Sequence, residues 1–332
     1  MDFERAVKLT RALRENLGKV VKGHENGVDL LVIALMAKGH VLLESVPGEG
    51  KTLLATALAA SIDDMTAGRI SGQPTLKPSD LLGAEVATES VENFELIEGP
   101  IFNNIVLFDE LNRTDPRTQS ALLEAMQEHQ VTIGTSSHKL PQPFHVIATQ
   151  NPLSHEGTWE LDAAAKQRFL VRIEWKFSPR KIEFQIAKEA KASLKENLEH
   201  IKPVISRDEF VEIQDLIQKE VSLSDSMVHL MNSVTIATRR SDPTYPSEIF
   251  DQLGLGREVI SPSGGASSRT TSFWPPFLRA HAFFNGRKNV VPYDIFASAA
   301  PLLNHRIETS YPVEMDSLIN LILSERGYAY DF

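Results

Sequence analysis

A glycine-rich segment early in the chain carries residues suited to holding phosphate groups. Residues 45–52 read Ser-Val-Pro-Gly-Glu-Gly-Lys-Thr, which matches GxxxxGK[ST] except that serine replaces the first glycine. Gly48 and Gly50 would let the backbone curl so that its N–H groups point at phosphate oxygens. Lys51 would reach the β- and γ-phosphates, and the Thr52 hydroxyl would ligate Mg²⁺. An apolar run before the segment and a helical pattern after it favour a phosphate-binding loop over a chance glycine turn.

An acidic pair follows a second apolar run. Residues 105–108 read Ile-Val-Leu-Phe, and Asp109 and Glu110 come directly after them. Ligands of open α/β sheets bind at the carboxyl ends of strands. We expect Asp109 to hold Mg²⁺ and its water, and Glu110 to polarise an attacking water as general base. An acidic strand end without a role is the alternative, and the preceding phosphate loop disfavours it.

Three further residues are weaker candidates for the same chemistry. Asn151 follows the apolar run 144–149 and could sense the γ-phosphate, or it could simply start a turn before a proline. Arg168 and Arg269 could each place a cation on the γ-phosphate. A lone arginine is usually a solvated surface cation, and sequence position does not decide between the two roles.

The predicted elements place these groups at the ends of buried strands. The apolar runs are nearly continuous, which is typical of strands in a parallel sheet covered by helices on both faces. Beyond about residue 178 the pattern is helical, so we expect an α/β domain over 1–177 and a helical domain over 178–332. The expected strands are 40–44, 68–71, 105–109, 144–149 and 169–174; the expected helices are 3–17, 25–38, 51–61 and 116–128; the expected hairpins are 84–98 and 130–140; and 253–272 is expected to be a loop.

Composition narrows the class of protein. The 332 residues include 34 basic and 44 acidic side chains, a net charge of −10 that disfavours nucleic-acid or anionic-membrane binding. There are no cysteines, which excludes disulfides and thiolate zinc sites. The N-terminus has no apolar signal core and no apolar run is long enough to span a bilayer, so the sequence predicts a soluble cytoplasmic protein with no membrane span.

Several segments together resemble the MoxR family of AAA+ ATPases. The eleven residues Thr-Gln-Ser-Ala-Leu-Leu-Glu-Ala-Met-Gln-Glu at 118–128 are highly specific to that family. The resemblance is strong over residues 20–175 and weaker afterwards. The segments that carry it are 41–52, 109–113, 118–128, 148–152, 265–269 and 289–294.

The resemblance implies an α/β fold with an AAA+ P-loop αβα core, built on a five-stranded parallel sheet and followed by a mostly helical lid domain. It also implies that 84–98 and 130–143 are inserts in the core. Asn151 would be sensor 1, Arg168 a trans-acting arginine finger and Arg269 sensor 2. The nucleotide-binding residues would be Pro47, Gly48, Glu49, Gly50, Lys51, Thr52, Leu53 and Asp109.

ATP and Mg²⁺ are the cofactors that the resemblance implies, with Thr52 and Asp109 as metal ligands. Family members commonly form hexamers and are thought to remodel protein clients, often with a partner that carries a von Willebrand factor A domain. The sequence departs from the family pattern at His24, at Lys166-Gln167 and in the longer stretch 241–263.

Three functions compete at this point. The first is an ATP-driven remodelling chaperone for protein clients. The second is an AAA+ DNA motor of the helicase type, which the insert 84–98 argues against because it has five glutamates and no lysine or arginine. The third is a nucleotide-gated scaffold with little hydrolysis, which the presence of both Asp109 and Glu110 weakens.

Overall fold

The computed structural model describes residues 1–45, 50–87, 94–151, 159–175, 178–189, 198, 200–243, 245–252, 254–256 and 258–324. Pro47, Gly48 and Glu49 of the predicted phosphate loop and residues 88–93 of the first predicted hairpin lie outside these residues. The chain divides into two compact units, Met1–Phe169 with Ile173–Gln214 and Leu170–Arg172 with Asp215–Phe332. The domain boundary at 177/178 stays a prediction.

A five-stranded sheet forms the centre of the first unit. Its strands are β1 (Val41–Ser45), β3 (Ala67–Ser71), β6 (Ile105–Asp109), β9 (His145–Gln150) and β10 (Val171–Trp175). The strand order is β10-β1-β9-β6-β3, and β9 pairs in parallel with both β1 and β6. Every residue of β6 is buried, as expected of a strand covered on both faces. The predicted parallel sheet is confirmed.

Four helices lie where the sequence predicted them, over about 3–17, 25–38, 51–61 and 116–128. The helix Pro116–Glu128 is capped by the Asp115 side chain, which accepts from the backbone N–H of Arg117 at 2.7 Å, and proline occupies the first helical position. The helices of this part of the chain are α1 (Phe3–Gly18), α2 (Glu25–Met36), α3 (Lys51–Ala60), α4 (Pro78–Leu82), α5 (Pro116–Glu128), α6 (Ala163–Lys166), α7 (Arg180–Glu189) and α8 (Arg207–Glu220).

Two hairpins project from the α/β pattern, as predicted. The first pairs β4 (Gly83–Ala87) with β5 (Phe94–Glu98), and the second pairs β7 (Gln130–Ile133) with β8 (Ser136–Lys139). A short parallel pair that the sequence did not signal joins β2 (Ile62–Asp63) to β11 (Ile205–Ser206).

The second unit is mainly helical among its described residues from Asp215 onward. Its helices are α9 (Asp225–Ala237), α10 (Ser247–Gln252), α11 (Ser268–Phe284), α12 (Pro292–Leu303) and α13 (Met315–Ser324), and α11 packs on both α9 and α12. The loop predicted over 253–272 is wrong at its end, because α11 already begins at Ser268. The apolar residues that hold this helix, such as Trp274 and Phe277, come after a first turn rich in Ser and Thr, whose low helical propensity hid the start.

No helix among the described residues is long and apolar enough to cross a bilayer.

Candidate functional site

The carboxyl ends of three adjacent strands meet at one edge of the sheet. Glu44 of β1 lies in register with Gln150 of β9, and Ala148 of β9 lies in register with Phe108 of β6. Neighbouring strands lie about 4.8 Å apart, so the ends of β1 and β6 are about 10 Å apart. The phosphate loop that leaves β1 and the acidic pair that ends β6 therefore share this edge.

The described part of the phosphate loop has the backbone that its chemistry requires. Gly50 adopts a left-handed conformation (φ 75°, ψ 14°), and α3 begins at the next residue, Lys51. The first turn of a helix presents unpaired N–H groups and the positive end of the helix dipole. Lys51, Thr52 and Leu53 are half-buried in this first turn, and α3 contacts β3 and β6.

Asp109 is buried and its carboxylate already has several donors. Nη2 and Nε of Arg69 lie 2.8 and 3.2 Å from Oδ2, and the hydroxyl of Thr149 donates to Oδ1 at 3.2 Å. These bonds hold both carboxylate oxygens in place. A carboxylate oxygen is a ligand that Mg²⁺ prefers.

Glu110 has a strained backbone that its neighbours hold in place. It is in the left-handed region (φ 54°, ψ 50°), which costs a non-glycine residue about 1–2 kcal/mol. Its N–H donates to the Thr149 hydroxyl at 2.9 Å, and its carbonyl accepts from the N–H of Arg113 at 2.8 Å. The guanidinium of Arg113 also donates to the Glu110 carboxylate at 2.8 Å. Backbone strain of this kind concentrates at functional sites.

Gly72 gives the turn at Glu110 the space that it needs. The N–H of Gly72 donates to the carbonyl of Asp109 at 2.7 Å. A Cβ at this position would lie 2.2 Å from the carbonyl oxygen of Glu110 and 2.8 Å from Oγ1 of Thr114. Residue 72 must therefore lack a side chain if the turn is to keep this position.

Asn151 lies at the same edge, one residue beyond β9. It is half-buried, and its carbonyl accepts from Nδ2 of Asn112 at 3.3 Å. The carbonyl of Asn112 accepts from the N–H of Trp159 at 2.7 Å. Asn112 therefore joins the acidic turn to the segment after β9 through both its side chain and its backbone. The structure thus brings Asn151 close to the acidic pair, as a sensor of the γ-phosphate would require.

Arg168 lies at the far end of α5 from the acidic pair. Its guanidinium donates to the carbonyl of Ala164 at 2.8 Å and to Oε1 of Gln127 at 3.2 Å. An α-helix rises about 1.5 Å per residue, so Gln127 lies about 16 Å along α5 from Pro116, the residue that begins the helix. The structure therefore does not bring Arg168 together with Glu110 of the same chain.

Arg269 belongs to the second unit. It is exposed in the first turn of α11. The loop before it is fixed to the end of α9, because the Ala266 N–H donates to Oγ1 of Thr238 at 2.8 Å and its carbonyl accepts from Nε of Arg239 at 3.0 Å.

Sequence reasoning missed four residues that build the site. They lie on three different strands or turns, and their contacts depend on strand order. Thr149 and Arg113 fall inside segments that resemble the MoxR family, and that resemblance could have marked them. Arg69 on β3 and Gly72 just after it belong to no such segment, so the sequence did not mark them. The four residues are Arg69, Gly72, Arg113 and Thr149.

The described residues fit a magnesium nucleotide. The α3 N-terminus with Lys51 suits a polyphosphate, and the Thr52 hydroxyl and Asp109 carboxylate are oxygen donors of the kind that Mg²⁺ takes. A left-handed glycine before a helix, beside an acidic strand end of a parallel sheet, defines a nucleotide-binding site of the P-loop class.

Comparison with known proteins agrees with this class. The sequence profile of the ATPase family associated with various cellular activities (AAA) matches residues 40–171, and that of the AAA lid domain matches residues 259–321. A crystal structure described as "a putative ATPase from Cytophaga hutchinsonii" superposes with a TM-score of 0.84 at 34% identity, covering 97% of this chain and 95% of that one.

Relatives extend over most of the chain. YeaC of Bacillus subtilis is 38% identical over 88% of this chain and 85% of its own length. Chaperone MoxR1 of Mycobacterium tuberculosis is 31% identical over 96% of this chain and 80% of its own length. Protein MoxR of Methylorubrum extorquens is 28% identical over 88% of this chain and 85% of its own length. The chain belongs to the MoxR family of AAA+ ATPases.

Proposed function

We propose that this chain hydrolyses Mg²⁺-ATP and uses the turnover to remodel protein clients. The observation that carries the proposal is the shared sheet edge, where the N-terminus of α3 follows β1 and the turn at Asp109 and Glu110 follows β6, with only β9 between the two strands. That arrangement places phosphate-binding groups beside a carboxylate suited to act on water.

Each residue has a separate task in the proposed reaction. Lys51 and the N–H groups of the phosphate loop bind the β- and γ-phosphates, with Pro47, Gly48, Glu49, Gly50 and Leu53 as further nucleotide contacts. Thr52 and Asp109 would hold Mg²⁺, which when bound offsets negative charge on the phosphates. Glu110 takes a proton from the water that attacks the γ-phosphorus, while the bond to the β–γ bridging oxygen breaks and ADP leaves.

Asn151 and Arg269 are the two proposed sensors, which would contact the γ-phosphate or the water that attacks it. Asn151 stands at the strand end beside the acidic turn, where its amide could orient the attacking water. Arg269, exposed at the start of α11, is the second proposed sensor. A cation on the γ-phosphate stabilises charge in the transition state.

The position of Arg168 supports a shared site between subunits. Its guanidinium is held at the C-terminal end of α5, about 16 Å along the helix from the end nearest Glu110. An arginine side chain is too short to span that distance, which supports the proposal that Arg168 acts in the site of a neighbouring subunit. A shared site of this kind needs an oligomer, for which we propose the hexameric ring common in the family.

A protein client fits the surface better than a nucleic acid. The chain has a net charge of −10, and the described part of the first hairpin presents Glu85, Glu95 and Glu98. Phosphate backbones are bound by basic surfaces. The relative named a chaperone supports the same choice, and a partner with a von Willebrand factor A domain is part of the proposal.

The first test is the ATPase rate per subunit as a function of protein concentration. The wild type should become faster per subunit as subunits assemble. Glu110→Gln should bind a fluorescent ATP analogue normally and lose nearly all turnover. Glu124→Gln, exposed on α5, is the matched control and should behave as wild type. Absence of hydrolysis in the assembled wild type would contradict the proposal and favour a nucleotide-gated scaffold, and salt-dependent DNA binding would favour a DNA motor.

A mixing experiment tests the shared site. Arg168→Ala leaves the nucleotide site intact but lacks the finger, whereas Lys51→Ala has the finger but cannot hold the phosphates. Each variant alone should be nearly inactive, and mixed rings should recover activity at the interfaces where the two are complementary. Arg11→Ala, exposed on α1, is the control for loss of a surface cation. No recovery in mixed rings of confirmed composition would contradict a trans-acting Arg168.

A further inference from the structure

One buried hydroxyl joins the two acidic residues of the site. Thr149 is 1% exposed on β9, between β1 and β6. Its Oγ1 accepts from the N–H of Glu110 at 2.9 Å and donates to Oδ1 of Asp109 at 3.2 Å. A hydroxyl has one hydrogen to donate and can accept as well, so a single group serves both neighbours.

The bond to the Glu110 N–H matters because the backbone there is strained. A left-handed residue returns to a more common conformation unless its surroundings hold it, and that change would rotate the peptide and redirect the side chain. Thr149 holds the N–H from one side, while the Arg113 N–H holds the carbonyl from the other.

The two oxygens of the Asp109 carboxylate accept hydrogen bonds from different donors. Thr149 donates to Oδ1, and Arg69 donates to Oδ2. Because the same hydroxyl fixes the Glu110 peptide, the direction of one carboxylate is tied to that of the other.

We propose that Thr149 is a positioning residue that aims the Glu110 carboxylate relative to Asp109. The proposal rests on the ATP hydrolysis proposed above. Thr149 is buried and acts through these two residues. Its removal should therefore slow the chemical step and leave nucleotide binding almost unchanged, because binding depends on the phosphate loop.

Two substitutions at Thr149 separate the effect of the hydroxyl from the effect of the side-chain shape. Thr149→Val keeps the shape of the side chain and removes the hydroxyl, whereas Thr149→Ser keeps the hydroxyl. Thr10→Val is the matched control, since Thr10 is also 1% exposed in the first unit and its hydroxyl donates to a backbone carbonyl, that of Ala6, at 3.0 Å.

Steady-state kinetics separate positioning from a structural role. Thr149→Val should lower kcat by about 10- to 100-fold, the usual cost of losing a group that orients a reacting one. KM and the Kd of a fluorescent ATP analogue, with Mg²⁺ and with EDTA, should stay within about threefold. Thr149→Ser should restore kcat to within about threefold of wild type, and Thr10→Val should leave it unchanged.

Amide hydrogen exchange provides a readout that does not depend on hydrolysis. In nucleotide-free protein, the Glu110 N–H should exchange at least about tenfold faster in Thr149→Val than in wild type or Thr10→Val, because its acceptor is gone. Unchanged exchange at Glu110 would overturn the inference. So would a Thr149→Val enzyme that keeps its kcat, or a Thr149→Ser enzyme as slow as the valine variant. A wild type without ATPase activity would instead contradict the proposed function, and the exchange result would still decide the role of Thr149.

Discussion

Arg69 and Asp109 form an ion pair in which two guanidinium nitrogens, Nη2 at 2.8 Å and Nε at 3.2 Å, donate to the same carboxylate oxygen. The arginine stands on β3 with its side chain 56% exposed, whereas only 13% of the aspartate side chain is exposed. The group that we propose as a metal ligand is thus already neutralised by a cation from the neighbouring strand. A metal ion at Asp109 must share the carboxylate with Arg69 or displace it.

Replacing Arg69 should therefore lower the Mg²⁺ concentration that half-saturates ATP binding. A half-exposed ion pair contributes about 0.2–1 kcal/mol, which corresponds to a change of up to about fivefold. Titrating Mg²⁺ against binding of a fluorescent ATP analogue measures the effect in Arg69→Gln. Arg11→Gln on α1 is the control and should match wild type. A higher Mg²⁺ requirement in Arg69→Gln would show that the arginine assists the metal site.

Gly72→Ala should disturb the acidic turn. The added Cβ would lie 2.2 Å from the Glu110 carbonyl oxygen, so the backbone of one strand end must move. We expect kcat to fall at least about tenfold and the free energy of unfolding to fall by about 1–3 kcal/mol. Gly18→Ala is the control, because nothing lies within 4 Å of a Cβ at Gly18. Wild-type kcat in Gly72→Ala would mean that the turn tolerates the shift.

Asp294→Asn should destabilise the second unit. The carboxylate is completely buried and accepts from Nδ1 of His281 at 2.6 Å, from both Nη atoms of Arg287 and from the N–H of Val291 at 2.8 Å. Breaking a buried ion pair by removing one charge costs about 3–5 kcal/mol. Urea unfolding should show this loss, and the exposed Asp208→Asn should show almost none.

The same carboxylate predicts a stability loss in strong acid. Burial alone raises the pKa of Asp294, but the hydrogen bonds from Arg287, His281 and Val291 outweigh it and hold the pKa below the ordinary 3.8. A depressed carboxylate pKa contributes stability that is present above 3.8 and is lost as the pH falls through the folded-state pKa. Between pH 7 and pH 5, Asp294 should therefore contribute no pH dependence.

Two buried histidines predict a loss of stability in mild acid. Burial lowers the pKa of His40 to about 3 and that of His145 to about 4. His145 donates to the Gly39 carbonyl through Nδ1 at 3.0 Å and accepts from Gln214 through Nε2 at 3.2 Å, so its ring is neutral. His40 accepts from the Val146 N–H at 3.0 Å, which also requires a neutral ring.

The sign follows from proton binding. Below pH 6.5 the unfolded chain binds protons at these histidines and the folded chain does not, so stability falls as the pH drops from about 6.5 towards 4. The loss approaches about 1.4 kcal/mol per pH unit for each histidine. Urea unfolding at pH 7, 6 and 5 measures the slope. His145→Gln should reduce it by about half, and the exposed His200→Gln should leave it unchanged. An equal slope in wild type and His145→Gln would exclude this histidine as its source.

The fold could be predicted from the sequence largely because its central strands are buried on both faces. Runs such as Ile105–Phe108 show that burial directly, and polar residues at their ends mark the site. Strand order is different, because it depends on how distant segments pair. Contacts that cross strands, such as Arg69 with Asp109 and Thr149 with Glu110, exist only once that order is known.

The start of α11 could not be predicted for a related reason. Ser268, Thr270 and Thr271 have weak local preference for a helix. The helix there depends on residues such as Trp274 and Phe277, which pack about two turns later. The role of Arg168 likewise depends on the length of α5, which places it far from its own Glu110.

The central position of β9 has a consequence for synthesis on the ribosome. β1 is made first among the five strands, yet its neighbours in the sheet are β9 and β10, and Val41 pairs in register with Ile147. At about 5–20 residues per second, β1 waits on the order of 5–20 s before its first partner is made. During that interval β3 and β6 can already pair, while Val41–Ser45 keeps both edges open. The nascent chain therefore passes through a period in which its phosphate-loop strand is free to pair with other chains, and the appearance of residues 145–150 ends it.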